Sequence, residues 1–284
     1  MNDAPGTCLV EPDWLESRLA DPTVKIVEIQ WTSPQSYEEG HIPGARGWAW
    51  KDWLWDPLAR DFPTPQEFAQ RCAAAGIGNA DTVVFYSEQV QFGCYGWFVF
   101  TLLGHGDARL LNGSKRRWLA EGRSLTTELP EITPASYTPP AAQRSDMRVR
   151  RDEMLTLLPA FGAGTEAVLL DHRTPEEFRG ERVNTTGQPD HGAERAGRIP
   201  GARHLYYEEL LADDHSFRSP EELTAILAAR GATPDKQIVS YCRLSHRASL
   251  AYFVMTRLLG WKRVRSYDGS WTEWGSMVGV PIEK

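Results

Sequence analysis

Cys242 stands where a chain can make a thiol reactive. The run Gln237-Ile238-Val239-Ser240-Tyr241 reads as a short buried strand. Cys242-Arg243-Leu244-Ser245-His246-Arg247 follows without a gap, and the stretch from Ala248 to Leu259 reads as a helix. A cysteine in a tight strand-to-helix loop faces backbone N–H groups without helical partners and the positive end of a helix dipole. Arg243, His246 and Arg247 add positive charge within five residues. Each influence favours thiolate over thiol, so the expectation is a nucleophile with a pKa well below the ~8.5 of a free cysteine. Cys8, Cys72 and Cys94 lack such flanks. With no CxxC pairing or interleaved histidines, they read as small buried hydrophobes rather than a disulfide framework or zinc site.

The elements that must position Cys242 occur twice. Thr64-Pro65-Gln66-Glu67 opens a helix with a capping residue, a proline at the first helical position and an acid in the first turn; that helix stops at Gly76. Ser219-Pro220-Glu221-Glu222 and Gly231 repeat the pattern at an offset of 155 residues (219 − 64 and 231 − 76). His41-Ile42-Pro43-Gly44-Ala45-Arg46 returns as Arg198-Ile199-Pro200-Gly201-Ala202-Arg203, and Asn112-Gly113-Ser114 as Asp268-Gly269-Ser270. Such constancy over separate signals indicates duplication. The first copy, 1–128, carries expected strands at Lys25–Ile29, Thr82–Tyr86 and Ala108–Leu111. The second, 146–284, carries them at Ala167–Asp171, Gln237–Tyr241 and Val264–Tyr267. Residues 129–145, with prolines at 130, 134, 139 and 140, read as an extended linker. Strands alternating with helices imply an α/β fold, a mostly parallel central sheet with helices on both faces in each copy. Function in such sheets collects at the carboxyl ends of strands, where Cys242 falls. At the matching place the first copy has Ser87, followed by Glu88-Gln89-Val90-Gln91-Phe92, with no thiol and no cation, and it is expected to be catalytically silent.

The 284 residues, 41% hydrophobic and 24% charged, suit a soluble protein of two domains. The net charge of −7 argues against nonspecific nucleic-acid binding, and no run reaches the ~20 apolar residues that span a bilayer. The polar N-terminus, Met1 to Pro5, carries no signal pattern, so the expectation is a cytoplasmic protein without nucleic-acid or membrane partners. No metal or organic cofactor is implied, and a monomer is the default because a tandem pair can bury its own interface.

Tyr267-Asp268-Gly269-Ser270-Trp271-Thr272-Glu273-Trp274, the Tyr37 and His41-Ile42-Pro43-Gly44-Ala45 segment, and Asp171-His172-Arg173 together resemble the signatures of the tandem-domain rhodanese family of sulfurtransferases, over nearly the whole chain. The resemblance implies a sulfur relay. Cys242 takes the sulfane sulfur of a small-molecule donor such as thiosulfate as a persulfide, then passes it to cyanide or a thiol. A dianionic donor approaching an anionic nucleophile needs cations. Arg243 and Arg247 are the candidates, with Leu244, Ser245 and His246 completing the substrate-binding loop; Arg247 could equally brace that loop. Asp171 is expected behind the loop as its anchor, and Arg173 as a partner of Asp171 or of loop carbonyls. Trp31 takes the place of an aromatic that lines the interdomain cleft in relatives, or simply packs. The aromatic patch of Trp48, Trp50, Trp53 and Trp55 reads as core and interface, His41 as a structural turn residue, and Lys115-Arg116-Arg117 as a solvated helix start.

The chain departs from the family pattern in three places. Glu177 replaces a substrate-binding arginine of vertebrate-type members, and Arg198 replaces the histidine before Ile-Pro-Gly-Ala. The insertion from Glu181 to Ala196 brings Arg182, His191 and Arg195, any of which could reach the pocket mouth. Mercaptopyruvate-using relatives carry a neutral Cys-Gly-x-Gly loop, which this chain lacks, so thiosulfate is favoured over 3-mercaptopyruvate as donor. A related fold performs phosphatase chemistry with five residues between cysteine and arginine. Here four, Arg243 to His246, separate Cys242 from Arg247, which suits a tighter anion cradle. A non-catalytic binding module is the remaining alternative.

Overall fold

The computed structural model describes residues 8–31, 35–162 and 166–284; the Met1 to Pro5 segment lies outside them. Two compact units are present. The first runs to Ser145 and takes in Asp213–Ser216; the second comprises Asp146–Ala212 and Phe217–Lys284.

In the first unit, β1 (Leu9–Val10), β2 (Val24–Gln30), β3 (Arg46–Ala49), β4 (Thr82–Tyr86) and β5 (Asp107–Leu111) form a sheet in the order β1-β5-β4-β2-β3, parallel at every pairing. The second unit holds β6 (Ala167–Asp171), β7 (Ala202–His204), β8 (Gln237–Tyr241) and β9 (Val264–Ser266), also parallel, in the order β7-β6-β8-β9. The α/β expectation holds. After their first residue, the central strands β4 and β8 are unbroken buried runs of apolar or small residues because helices flank the sheet. In the second unit Leu169, Val239, Tyr241, Tyr267, Trp271 and Trp274 pack into one fully buried cluster beside the strand ends.

Both repeated helices form as expected, Pro65–Ala74 and Pro220–Ala229. Each has a complete capping box: Glu67 N–H donates to Thr64 Oγ1 and Glu222 N–H to Ser219 Oγ, while each Glu side chain accepts from its cap's own N–H. Gly76 and Gly231 sit at φ of +69° and +70°, left-handed positions that end the helices without a Cβ clash.

The structure corrects several expectations. The helix after Cys242 begins at His246, not Ala248, because Ser245 adopts a left-handed φ of +70° that turns the chain straight into it. That helix is α only to Phe253 and continues as a π-helix over Val254–Leu258. Strands β1, β3 and β7 were not expected; they are two to four residues long, and nothing in their local pattern announces their pairing. Lys115 is not solvated. It is buried, and its ammonium donates to Ser36 O (2.6 Å), Ser36 Oγ (3.0 Å) and Glu28 Oε1 (3.4 Å).

Candidate active site

Cys242 follows β8 directly and is 1% exposed. Its N–H donates to Ser270 Oγ (3.2 Å) and its carbonyl accepts from Trp271 N–H (2.9 Å). The next carbonyl, of Arg243, accepts from Thr272 N–H (3.1 Å) and Thr272 Oγ1 (2.7 Å). The Asp268-Gly269-Ser270 repeat therefore starts the short Ser270–Trp274 helix that pins the first half of the loop. The second half enters the His246–Phe253 helix, so His246 and Arg247 lie in its first turn, buried, while Leu244 is half-buried. The Ser245 hydroxyl is buried and makes no hydrogen bond among the described residues.

The three arginines around the loop are held differently. Arg173, fully buried, donates Nε and Nη2 to Asp171 and Nη2 to Gly197 O (2.7 Å). Asp171 also accepts from the Tyr241 hydroxyl (2.6 Å), and so reaches Cys242 through the residue before it. Burial pushes the Asp171 pKa up, but Arg173 outweighs it and the carboxyl stays below its ordinary value. Arg247 makes a two-pronged pair with Glu177: Nη1 to Oε2 at 2.6 Å and Nη2 to Oε1 at 2.9 Å. Burial opposes the charge on both partners; their mutual attraction prevails, lowering Glu177 and raising Arg247 from their usual values. Arg243 donates Nε to Asn184 Oδ1 (3.0 Å), and its two Nη groups make no hydrogen bond among the described residues. Burial, then the neighbouring Arg247, pull the Arg243 pKa down, with Glu177 and Cys242 acting the other way.

Between Asp171 and Arg173, His172 is buried. Its Nδ1 faces Leu205 O (3.0 Å) and its Nε2 faces Ser240 Oγ (3.1 Å), a network satisfied by a neutral ring with its proton on Nδ1 and the serine as donor. Burial lowers its pKa to about 4.

A model of the Rhodanese-like domain matches this chain twice, over residues 11–121 and 157–277. The chain belongs to the rhodanese family. Among curated rhodanese relatives, the "Sulfur carrier protein TtuD" of Thermus thermophilus is 43% identical over 97% of this chain and 96% of its own length. The "Putative thiosulfate sulfurtransferase SseA" of Mycobacterium tuberculosis (strain CDC 1551 / Oshkosh) is 42% identical over 96% of this chain and 90% of its own. Among solved structures, the anaerobic ergothioneine biosynthesis enzyme from Chlorobium limicola, in complex with trimethyl histidine, superposes with a TM-score of 0.84 at 26% identity, covering 98% of this chain and 70% of that one. An EanB cysteine persulfide in a tetrahedral intermediate state with ergothioneine does so at 0.85 and 25%, covering 99% and 72%. Sulfur transfer between small molecules is the reaction class that the family and its named relatives support.

Within this rhodanese fold the structure redistributes the residues singled out from sequence. Cys242, Arg243, Ser245, His246 and Arg247 belong to one loop, but Arg247 is engaged on both prongs by the Glu177 carboxylate, whereas Arg243 meets only the neutral amide of Asn184. Arg195 does not reach the loop; it donates to the carbonyls of Trp274, Gly275, Met277 and Val280 and ties the insertion to the C-terminal segment. Arg182 donates to Gln188 O within the insertion. The insertion does meet the loop through Asn184, which sequence reasoning missed: an asparagine among Thr185, Thr186 and Gly187 reads as turn chemistry and names no distant partner. Trp31 belongs to the first unit and stacks against Trp50 (5.8 Å) and Phe92 (5.0 Å). Trp48 and Trp50 are core residues, and His41 is buried with its ring nitrogens facing Tyr37 O and Glu128 O.

The first unit repeats the cradle with a serine in place of the cysteine. Ser87 N–H donates to Ser114 Oγ (2.9 Å), as Cys242 N–H does to Ser270 Oγ. The Ser87 hydroxyl is consumed locally, donating to Gln89 O and accepting from Gly93 N–H.

Proposed function

We propose that this rhodanese moves a sulfane sulfur from thiosulfate to a thiophilic acceptor through a persulfide on Cys242, and that the first copy of the repeat, residues 1–128, takes no part in the chemistry. The sulfur of Cys242 attacks the outer sulfur of thiosulfate. A new S–S bond forms, the old one breaks, and sulfite leaves with the bonding electron pair. The acceptor, cyanide or a thiolate, then attacks the outer persulfide sulfur and returns the Cys242 thiolate. Loop amides, the Ser245 hydroxyl and the helix N-terminus are suited to an extra anionic sulfur.

The observation that carries the reading is Arg243, a buried cation directly after the nucleophile with its Nη groups unengaged among the described residues. It supports an anionic donor, and the loop has none of the glycines of mercaptopyruvate-using relatives. The likeness to a protein named as a sulfur carrier favours a thiol over cyanide as the natural acceptor. The test is intact mass after incubation with thiosulfate, followed by steady-state rates with thiosulfate and with 3-mercaptopyruvate. A gain of about 32 Da on Cys242, absent in Cys242→Ser, and a preference for thiosulfate are expected. No gain with any donor favours a binding module, and a clear preference for mercaptopyruvate refutes the donor assignment.

A further inference from the structure

We propose that Asn184 is a positioning residue for donor selection: with a neutral amide it holds the Arg243 guanidinium by its Nε edge, leaving both Nη groups and the full positive charge for the anionic end of the donor at Cys242. The inference deepens, and rests on, the reading of Cys242 as the residue that accepts sulfur.

Asn184 is built for a fixed orientation. It is 7% exposed, its Nδ2 donates to Pro189 O (2.8 Å), and its Oδ1 also accepts from Thr185 N–H (2.9 Å). Those partners set which end of the amide faces Arg243, since the Pro189 carbonyl can only accept and the Arg243 Nε–H can only donate. Asp190 accepts from the N–H groups of Val183 and Asn184 at 2.8 and 3.1 Å and closes the turn that presents the side chain. The same insertion packs on the guanidinium itself. A Cβ added at Gly192, whose φ is +113°, would stand 3.4 Å from Arg243 Cζ and 3.5 and 3.6 Å from its two Nη atoms. With its carbonyl pinned by Thr272, Arg243 is held at both ends by uncharged groups.

Arg247, four residues on, shows the alternative. A carboxylate grips it in two-pronged fashion and cancels its charge. An amide at Arg243 supplies direction without neutralisation, so the desolvated cation keeps its attraction for a ligand anion. Arginine remains protonated throughout the accessible pH range, so this availability does not depend on pH.

The test compares wild type, Asn184→Ala and Asn184→Asp. Cys242 is alkylated with iodoacetate, an anion, and with iodoacetamide, a neutral analogue, and the rates are read by peptide mass at that site. Single-turnover persulfidation by thiosulfate is fitted for donor dissociation constant and limiting rate separately. Asn184→Asp should lower the iodoacetate-to-iodoacetamide ratio roughly tenfold and weaken thiosulfate binding by a similar factor, with the limiting rate within about threefold. Asn184→Ala should move the ratio roughly threefold in the same direction, through lost orientation, and decides the matter if the aspartate variant does not fold. A merely structural residue would slow both reagents equally, and unchanged ratios in the folded variants overturn the proposal. If wild type gains no sulfur from thiosulfate while the ratios shift as stated, the donor assignment fails and the role of Asn184 stands.

Discussion

A guanidinium attracts a ligand anion only as far as its charge is not already cancelled, and Arg247 and Arg243 differ in that respect. Glu177, 0% exposed, satisfies Arg247 on both prongs and also accepts from the Thr174 N–H at its own helix start. Removing one partner of a buried ion pair leaves the other charge stranded, which costs about 3–5 kcal/mol. Glu177→Gln is therefore expected to lower unfolding free energy by about 3 kcal/mol in denaturant titrations. Arg243→Ala gives up one hydrogen bond to a neutral amide, a loss of about 1 kcal/mol, but should reduce kcat/KM for thiosulfate by roughly a hundredfold. Comparable stability losses in the two variants would mean that Arg243 is a brace as well. The sequence exposed the proposed nucleophile and the basic residues beside it because they are contiguous. It hid the division of labour because Glu177 and Asn184 lie 70 and 59 residues from the arginines they serve.

At the scale of elements, the end of β6 carries a titration signature. His172, buried just past the last residue of β6, is a neutral ring with a folded pKa of about 4, against about 6.5 in an unfolded chain. Between those values the unfolded state binds a proton that the folded state refuses, so stability falls as pH drops from about 6.5 to 4 and the loss is complete below. The change amounts to roughly 3 kcal/mol. Asp171 and Glu177, both held below their ordinary values, act in the same direction at still lower pH. His172→Asn keeps a donor for Leu205 O, and its urea-unfolding free energy should be flatter between pH 6.5 and 4 than that of wild type. These elements were legible to different degrees. The capping helices were visible because Thr64, Glu67, Ser219 and Glu222 bond within three residues of one another. Strands β3 and β7 were not, because Arg46-Gly47-Trp48-Ala49 and Ala202-Arg203-His204 become strands only by pairing with β2 and β6. Lys115 misled for the same reason, since the Glu28 and Ser36 that bury it are distant in sequence.

Across the whole molecule, the duplication preserved a scaffold and changed the side chains set into it. In each unit a carboxylate on one strand pairs in register with a tyrosine, Glu28 with Tyr86 and Asp171 with Tyr241. Each tyrosine hydroxyl also accepts from the isoleucine N–H of the Ile-Pro-Gly-Ala turn, at 3.1 Å from Ile42 and 3.2 Å from Ile199. The counterion differs: Lys115 serves Glu28, whereas Arg173 serves Asp171. After the tyrosine comes Ser87 in one unit and Cys242 in the other, each with its N–H donating to a serine hydroxyl. If a thiol in this cradle were sufficient, Ser87→Cys would create a second active site. The loop after Ser87 instead offers Glu88 and two glutamines, with no cation to bring an anionic donor to the sulfur. Ser87→Cys placed in a Cys242→Ser background should therefore recover less than about a hundredth of wild-type sulfur transfer from thiosulfate, by rate and by mass gain at position 87. Adding an arginine in place of Glu88, the equivalent of Arg243, should raise that trace measurably. Recovery to near wild-type rates by Ser87→Cys alone would show that the loop amides suffice and that the positive field around Cys242 is dispensable.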